Sequence, residues 1–291
     1  MEITRNLIDI EGVIAEKNPK LLKVLPGFVI AYLKRIVHQD FINDAIYRNR
    51  DKVGLAFVEV ILREFGVRME VKDGRRKRAD GGLPTAGLST LIPASHRLII
   101  AANHPLGGLD GMALMNQVGK VRSDIVFPVN DLLMNVPGLK PLFIPINKLG
   151  KNSDNIRIID DTFASEKTIL YFPAGLVSRK RPGGIIADLE WKKTFITKAR
   201  KFERDILPVY ITGRNSGFFY NLSLWRRRLG IKANIEMLYL VDEMVKQKDK
   251  TICMTFGDII PYTTFDRSRT DTDWARYVRE AVYSMADKSE H

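Results

Sequence analysis

Between residues 101 and 111 the chain reads AANHPLGGLDG, which sets an imidazole, a carboxylate and three glycines where an apolar run gives way to a helical pattern. An imidazole that titrates near neutrality can take a proton from an alcohol or from water. A carboxylate on its other ring nitrogen fixes the tautomer and stabilises the imidazolium that forms. His104 and Asp110 could make that pair, because Gly107 and Gly108 allow a turn tight enough for Asp110 to fold back. The amides of this turn, and those opening the next helix, could face an anion. The same spacing admits a plainer reading, with Asp110 as a helix N-cap and His104 as a hydrogen-bonded turn residue. No comparable setting surrounds His38, His96 or His291, and there is no Gly-x-Ser-x-Gly turn. Cys253, the single cysteine, falls in an expected strand and reads as core; one cysteine excludes an internal disulfide and points to the cytoplasm.

The elements around this stretch alternate. Residues 1–66 read as a helical segment, with apolar residues near the helical period in AYLKRIVHQDFINDAIYRN and VGLAFVEVILREFG. From 67 to 291 the chain reads as an α/β domain. VRMEV, RLIIAAN, DIVFPV, LFIPIN, TILYFP, ILPVYIT and TICMTFG are strand-like. DGMALMNQVGKV, NSDNIRIIDDTFAS, LEWKKTFITKARKF, a stretch near 234–247 and DTDWARYVREAVYSMAD are helical between them. The expected architecture is α/β, a mostly parallel or mixed central sheet flanked by helices, with an N-terminal helical arm. Ligands of open α/β sheets bind beyond the carboxyl ends of the strands. At those ends stand Asn103, His104 and Asp110; Asn147, Lys148 and Lys151; Gly175, Ser178, Arg179 and Arg181; and Arg214 with Asn215.

With 46 Lys and Arg against 34 Asp and Glu, the net charge is +12, which suits anionic partners. The basic residues cluster in KDGRRKR, SRKRPGG and WRRRLG. No aromatic-rich RNA motif or zinc-finger spacing accompanies them, so nucleic acid is set aside. The N-terminus lacks the pattern of a signal peptide. Residues 21–37, LLKVLPGFVIAYLKRIV, are interrupted by Lys23, Pro26 and Lys34 and fall short of the roughly 20 apolar residues a span requires. With Phe28, Tyr32 and Ile36 they form an arm that either lies in a membrane interface or covers the core.

Four blocks, in order across roughly residues 90–262, resemble the PlsC-like glycerolphosphate/lysophospholipid acyltransferase superfamily, of which the chain is identified as a divergent member. They are NHPLGGLD, VPGLKPLFIPINK, FPAGLVSRKR and ILPVYITG, followed by a similar TFGDIIP ending. The resemblance implies transfer of a fatty acyl group from a thioester, acyl-ACP or acyl-CoA, to a lyso-lipid hydroxyl. It implies His104 as general base, Asp110 as its orienter, and direct attack without an acyl-enzyme. Amides near Gly107–Gly108 or Gly175 would hold the oxyanion, with Asn103 in support. Lys148, Lys151, Ser178 and Arg179, with Phe172 and Pro173, would bind substrate. No metal or redox cofactor is implied. The implied partners are an acyl carrier protein or CoA thioester, a lyso-lipid acceptor and an anionic membrane surface, with peripheral attachment at the cytoplasmic face of the inner membrane.

Three departures bear on the acceptor. His104 and Asp110 have five residues between them where the family has four, a difference the glycine pair could absorb as a bulge. Ile146 or Asn147 stands where the family has an arginine, and Ala174 where it has a glutamate. The acceptor is therefore expected to be either lysophosphatidate or a monoacylated amino-acid lipid of the ornithine or glycine type. Thioester hydrolysis and a catalytically silent lipid-binding role are the competing expectations.

Overall fold

An apolar run with no polar side has to be covered on both faces, and LIIAA is the centre of the fold for that reason. The computed structural model describes residues 7–75, 83–129, 133–145 and 153–286. Helices α1 (Ile10–Lys17), α2 (Pro19–Val24), α3 (Gly27–Ile36), α4 (Gln39–Arg48) and α5 (Leu55–Glu64) precede β1 (Arg68–Asp73). Then come α6 (Leu88–Leu91), β2 (Leu98–Ala102), α7 (Gly108–Gly119), β3 (Ile125–Val129), β4 (Phe143–Pro145), α8 (Ser153–Ala164) and β5 (Thr168–Tyr171). A hairpin of β6 (Arg179–Lys180) and β7 (Ile186–Ala187) leads to α9 (Thr194–Lys201), β8 (Asp205–Ile211) and α10 (Gly217–Arg228). A 3-10 turn, Ile235–Tyr239, runs into α11 (Leu240–Val245), followed by β9 (Thr251–Phe256) and α12 (Asp271–Tyr283).

Among the described residues the main sheet has seven strands in the order β1-β9-β8-β2-β5-β3-β4. The β8–β9 pair is antiparallel and the other pairs are parallel, so the sheet is mixed, as expected. Every residue of β2 is 0% exposed, and its side chains alternate between two cores. Leu98, Ile100 and Ala102, with Leu207 and Val209, pack with Phe57, Val58 and Leu62 of α5 and with Leu109, Ala113 and Leu114 of α7. Ile99, Ala101 and Ile206 pack with Phe195 and Ile196 of α9 and Trp274, Ala275 and Val278 of α12. Each fully buried aliphatic side chain contributes roughly 1.5–3 kcal/mol, so the central strands hold their carboxyl ends rigidly.

Arg204, fully buried at the start of β8, holds the opposite edge of the sheet. It donates to the carbonyls of Phe163 (2.6 Å), Lys167 (2.7 Å), Leu98 (3.3 Å) and Ser165, satisfying the end of α8 and the turn after it. Burial lowers its pKa to about 10, so it remains cationic.

Several elements differ from the sequence expectation. The 234–247 stretch divides into the 3-10 turn and α11, and α9 begins only at Thr194. Helix α10 and the β6–β7 hairpin were not expected. The arginine run disguised the helix, and RPGG, with Gly183 and Gly184 at φ +81° and +84°, makes the hairpin turn. No described helix is long and apolar enough to cross a membrane.

Candidate active site

His104 follows β2 at the carboxyl edge of the sheet and retains 16% side-chain exposure. Its Nδ1 lies 3.0 and 3.1 Å from the two oxygens of Asp110, which is fully buried in the first turn of α7. The same carboxylate accepts the amides of Leu106 (2.7 Å) and Gly107 (3.2 Å). Asp110 is therefore the partner of the imidazole and not the N-cap of α7: Gly107 is the N-cap, and Asp110, at the third helical position, reaches back to its amide. Gly107 takes φ +91°, a conformation open to glycine, and in doing so accommodates the additional residue of the turn. Because the carboxylate is surrounded by donors, Nδ1 carries the hydrogen and Nε2 presents a lone pair. The Phe172 ring stacks on the imidazole at 4.1 Å and 22° and is itself supported edge-on by Phe127. The site is thus a fixed tautomer on an aromatic platform, which suits proton abstraction.

Several expected ligand-facing groups are occupied inside the fold instead. Both polar atoms of the Asn103 side chain bind the main chain of Ile211, at 2.8 and 2.7 Å, tying β2 to β8. The Gly175 amide donates to Phe172 O at 3.0 Å, and the Gly107 amide to Asp110. Of the amides proposed for an oxyanion, that of Gly108 remains, at an exposed first helical position where an N–H has no intrahelical acceptor. Ser178 is buried, its amide on His104 O (2.7 Å) and its hydroxyl on Asp188 (2.5 Å). Arg179 is buried against Glu236 at 3.0 Å, and Glu236 also binds Arg226 of the WRRRLG run at 2.8 Å. Burial pushes the Glu236 carboxyl up, but its own amide and the two guanidiniums outweigh this and hold it below the usual range. Burial lowers the Arg179 pKa. These two arginines are spent on an internal ion triad and are not open to a phosphate. Pro173 contributes its carbonyl to the Lys192 amide (3.1 Å). Lys148 and Lys151 lie outside the described residues.

Sequence reasoning passed over Asp188 and Lys192. Asp188, fully buried, accepts from the His104 amide (3.2 and 3.3 Å), Ser178 Oγ and Trp191 Nε1 (3.0 Å). Burial raises its pKa against the pull of those donors. The exposed Lys192 carries its ammonium over the turn after β5: a Cβ added to Gly175 would meet Nζ at 3.3 Å. Two of the other histidines are also corrected, while His291 lies outside the described residues. His96 pairs with Asp205 (2.7 Å) and His38 with Asp242 (3.0 Å), acids 109 and 204 residues away, where local spacing gave no signal. His96 precedes β2 and lines a cavity of about 680 Å³ at the amino edge of the sheet, opposite His104. A second cavity, about 420 Å³, adjoins Asn103 and Pro105 and is walled by Ser178, Ile186, Tyr210 and Tyr283, a mixed lining rather than a wholly apolar one.

A family model described as "Acyltransferase" matches residues 12–290. Two proteins named lyso-glycine lipid O-acyltransferase, from Bacteroides thetaiotaomicron and Phocaeicola vulgatus, are each 46% identical over 281 residues. These alignments cover 96% of this chain and 97% and 95% of the two relatives. The crystal structure of the 1-acyl-sn-glycerophosphate acyltransferase PlsC from Thermotoga maritima overlays at a TM-score of 0.45 with 16% identity, covering 89% of this chain and 91% of that one.

Proposed function

The chain belongs to the acyltransferase family, and from that premise we propose that it moves a fatty acyl group from a thioester to the hydroxyl of a lyso-lipid. The observation that carries the reading is the His104–Asp110 contact at the carboxyl edge of the sheet. Nε2 of His104 removes the acceptor's hydroxyl proton while Asp110 holds Nδ1–H. The alkoxide attacks the thioester carbonyl, and the Gly108 amide supports the developing oxyanion, an interaction of roughly 3–4 kcal/mol where one such donor has been removed. The C–S bond then breaks, and the thiolate leaves with the proton from the imidazolium. The products are an ester and a free thiol, with no metal or redox cofactor in the scheme. The donor thioester is carried by acyl carrier protein or coenzyme A.

The acceptor we propose is a monoacylated glycine lipid, the class named for the two relatives. A glycine joined through its nitrogen retains a carboxylate, and Lys192, exposed over the turn after β5, is the cation we assign to it. The enzyme attaches peripherally to the cytoplasmic face of the inner membrane. Exposed Phe28, one turn from Tyr32 on α3, lies on the side of the molecule that carries exposed Phe218 of α10, because Tyr239 bonds Tyr32 (2.8 Å) and packs on Phe218 (4.9 Å). Lys23, exposed on α2 next to Val24, supplies attraction to anionic lipid, about 1 kcal/mol near such a surface.

The test is acylation by the purified protein of lyso-glycine lipid and of lysophosphatidate, with acyl-ACP and acyl-CoA as donors and products read by mass spectrometry. Diacylated glycine lipid, absent with His104→Ala, is expected. Free fatty acid alone would make the protein a thioester hydrolase, and full turnover by His104→Ala would end the general-base scheme.

A further inference from the structure

We propose that Asp188, with Ser178, is a positioning residue that grips the main chain of His104 and keeps its imidazole in register with Asp110. This inference rests on His104 being the base. The side-chain pair alone leaves a looseness: Asp110 fixes one ring nitrogen, but the imidazole pivots on its own backbone, which lies in a loop just beyond the end of β2. The base of the β6–β7 hairpin closes on both of that residue's backbone groups. Ser178 N–H donates to His104 O at 2.7 Å, and the His104 amide donates to both oxygens of Asp188 at 3.2 and 3.3 Å.

The grip is itself anchored from two further elements. Trp191, buried before α9, donates its indole N–H to Asp188. From α12, Tyr283 accepts the Asp188 amide at 2.8 Å and Arg279 donates to the Asp188 carbonyl at 3.2 Å; Arg181 of the hairpin donates to the same carbonyl. Placing a carboxylate with 0% exposure opposes folding unless its oxygens are satisfied, and here every donor it finds either belongs to the catalytic residue or braces the hairpin that holds it. Two carboxylates 78 residues apart thus serve one histidine, Asp110 at the ring and Asp188 at the backbone. Displacements of about 1 Å of a reacting group can cost about 100-fold in rate, which is the scale on which such a grip acts.

The experiment is a mutant cycle on the full-length protein in the thioester assay, with folding checked by thermal melting. Asp188→Asn leaves one oxygen for the His104 and Trp191 donors and turns an amide toward Ser178 Oγ. It is expected to lower kcat about 10- to 100-fold while KM for donor and acceptor stays within about twofold. Ser178→Ala, which retains its backbone donor, is expected to lose about three- to tenfold in kcat. Both losses should vanish on an Asp110→Asn background, where the ring is already out of register, because residues acting as a unit are not additive. A folded Asp188→Asn with kcat within twofold of the parent overturns the proposal, as does a kcat loss that persists undiminished beside Asp110→Asn. If Asp188→Asn does not fold, Ser178→Ala decides by the same two comparisons. His104→Ala run alongside separates a failure of this proposal from a failure of the base itself.

Discussion

Replacing Asp110 by asparagine tests the proton-transfer reading most directly, because the structure dictates how the amide must sit. Oδ2 of Asp110 accepts two backbone amides, from Leu106 and Gly107, and lies 3.1 Å from Nδ1 of His104, so it is already shared, whereas Oδ1 lies 3.0 Å from Nδ1 and is the oxygen left for the ring. An asparagine has one oxygen to share. Placed toward the two amides, it satisfies both and leaves the turn intact, so the NH2 group then faces Nδ1. Two donors cannot oppose each other, so the ring gives up its Nδ1 hydrogen, and the proton moves to Nε2, the atom that must act as base. The comparable exchange in a serine-protease triad lowers kcat about 10⁴-fold through the same tautomer error. Here the expected loss is about 10³- to 10⁴-fold in kcat, or roughly 4–5.5 kcal/mol at 1.36 kcal/mol per decade. The fold should lose only about 1 kcal/mol, the net worth of one hydrogen bond. Thiol release from an acyl thioester, followed continuously under saturating acceptor, gives kcat, and thermal melting gives the fold. A folded variant that retains kcat within tenfold of the parent would falsify the assignment of Asp110 as orienter.

Glu236→Gln strands two buried guanidiniums, Arg179 and Arg226, and should destabilise the protein by about 3–5 kcal/mol in denaturant titration; a change below 1 kcal/mol would mean that the triad is already solvated. Lys192→Gln should raise KM for an acceptor with a free carboxylate about tenfold, leave KM for the thioester unchanged, and be silent toward the corresponding methyl ester. Asp124 is held below the usual carboxylate range chiefly by its hydrogen bonds to Arg122. Its stabilisation is therefore present above the unfolded value near 3.9 and is lost as pH falls through the folded one. Asp124→Asn should flatten the acid-unfolding profile below about pH 4 and leave stability differences between pH 5 and 8 unchanged.

What the sequence revealed follows from how far apart the interacting groups lie along it. His104 and Asp110 are six positions apart, and a glycine-rich turn between a buried strand and a helix confines them to one place. The continuous apolar runs of β2 and β8 likewise announced a strand covered on both faces. Asp188 reaches His104 across 84 residues, and nothing in IIADLEW suggests a carboxylate aimed at a distant backbone amide. Arg179 and Arg226 sit in basic runs that read as solvated surface or phosphate ligands. Their burial depends on Glu236, which is 57 and 10 residues away from them. Charge composition records how many cations there are, whereas only the fold records which of them meet an acid on the inside.

The short turn 235–239 contains both Glu236, which secures Arg179 beside the histidine's backbone clamp, and Tyr239, which holds α3 through Tyr32. On the proposed attachment through α2 and α3, adhesion and turnover would therefore share one piece of backbone less than two turns long. If that proposal holds, substitutions in this turn are expected to change vesicle binding and turnover together.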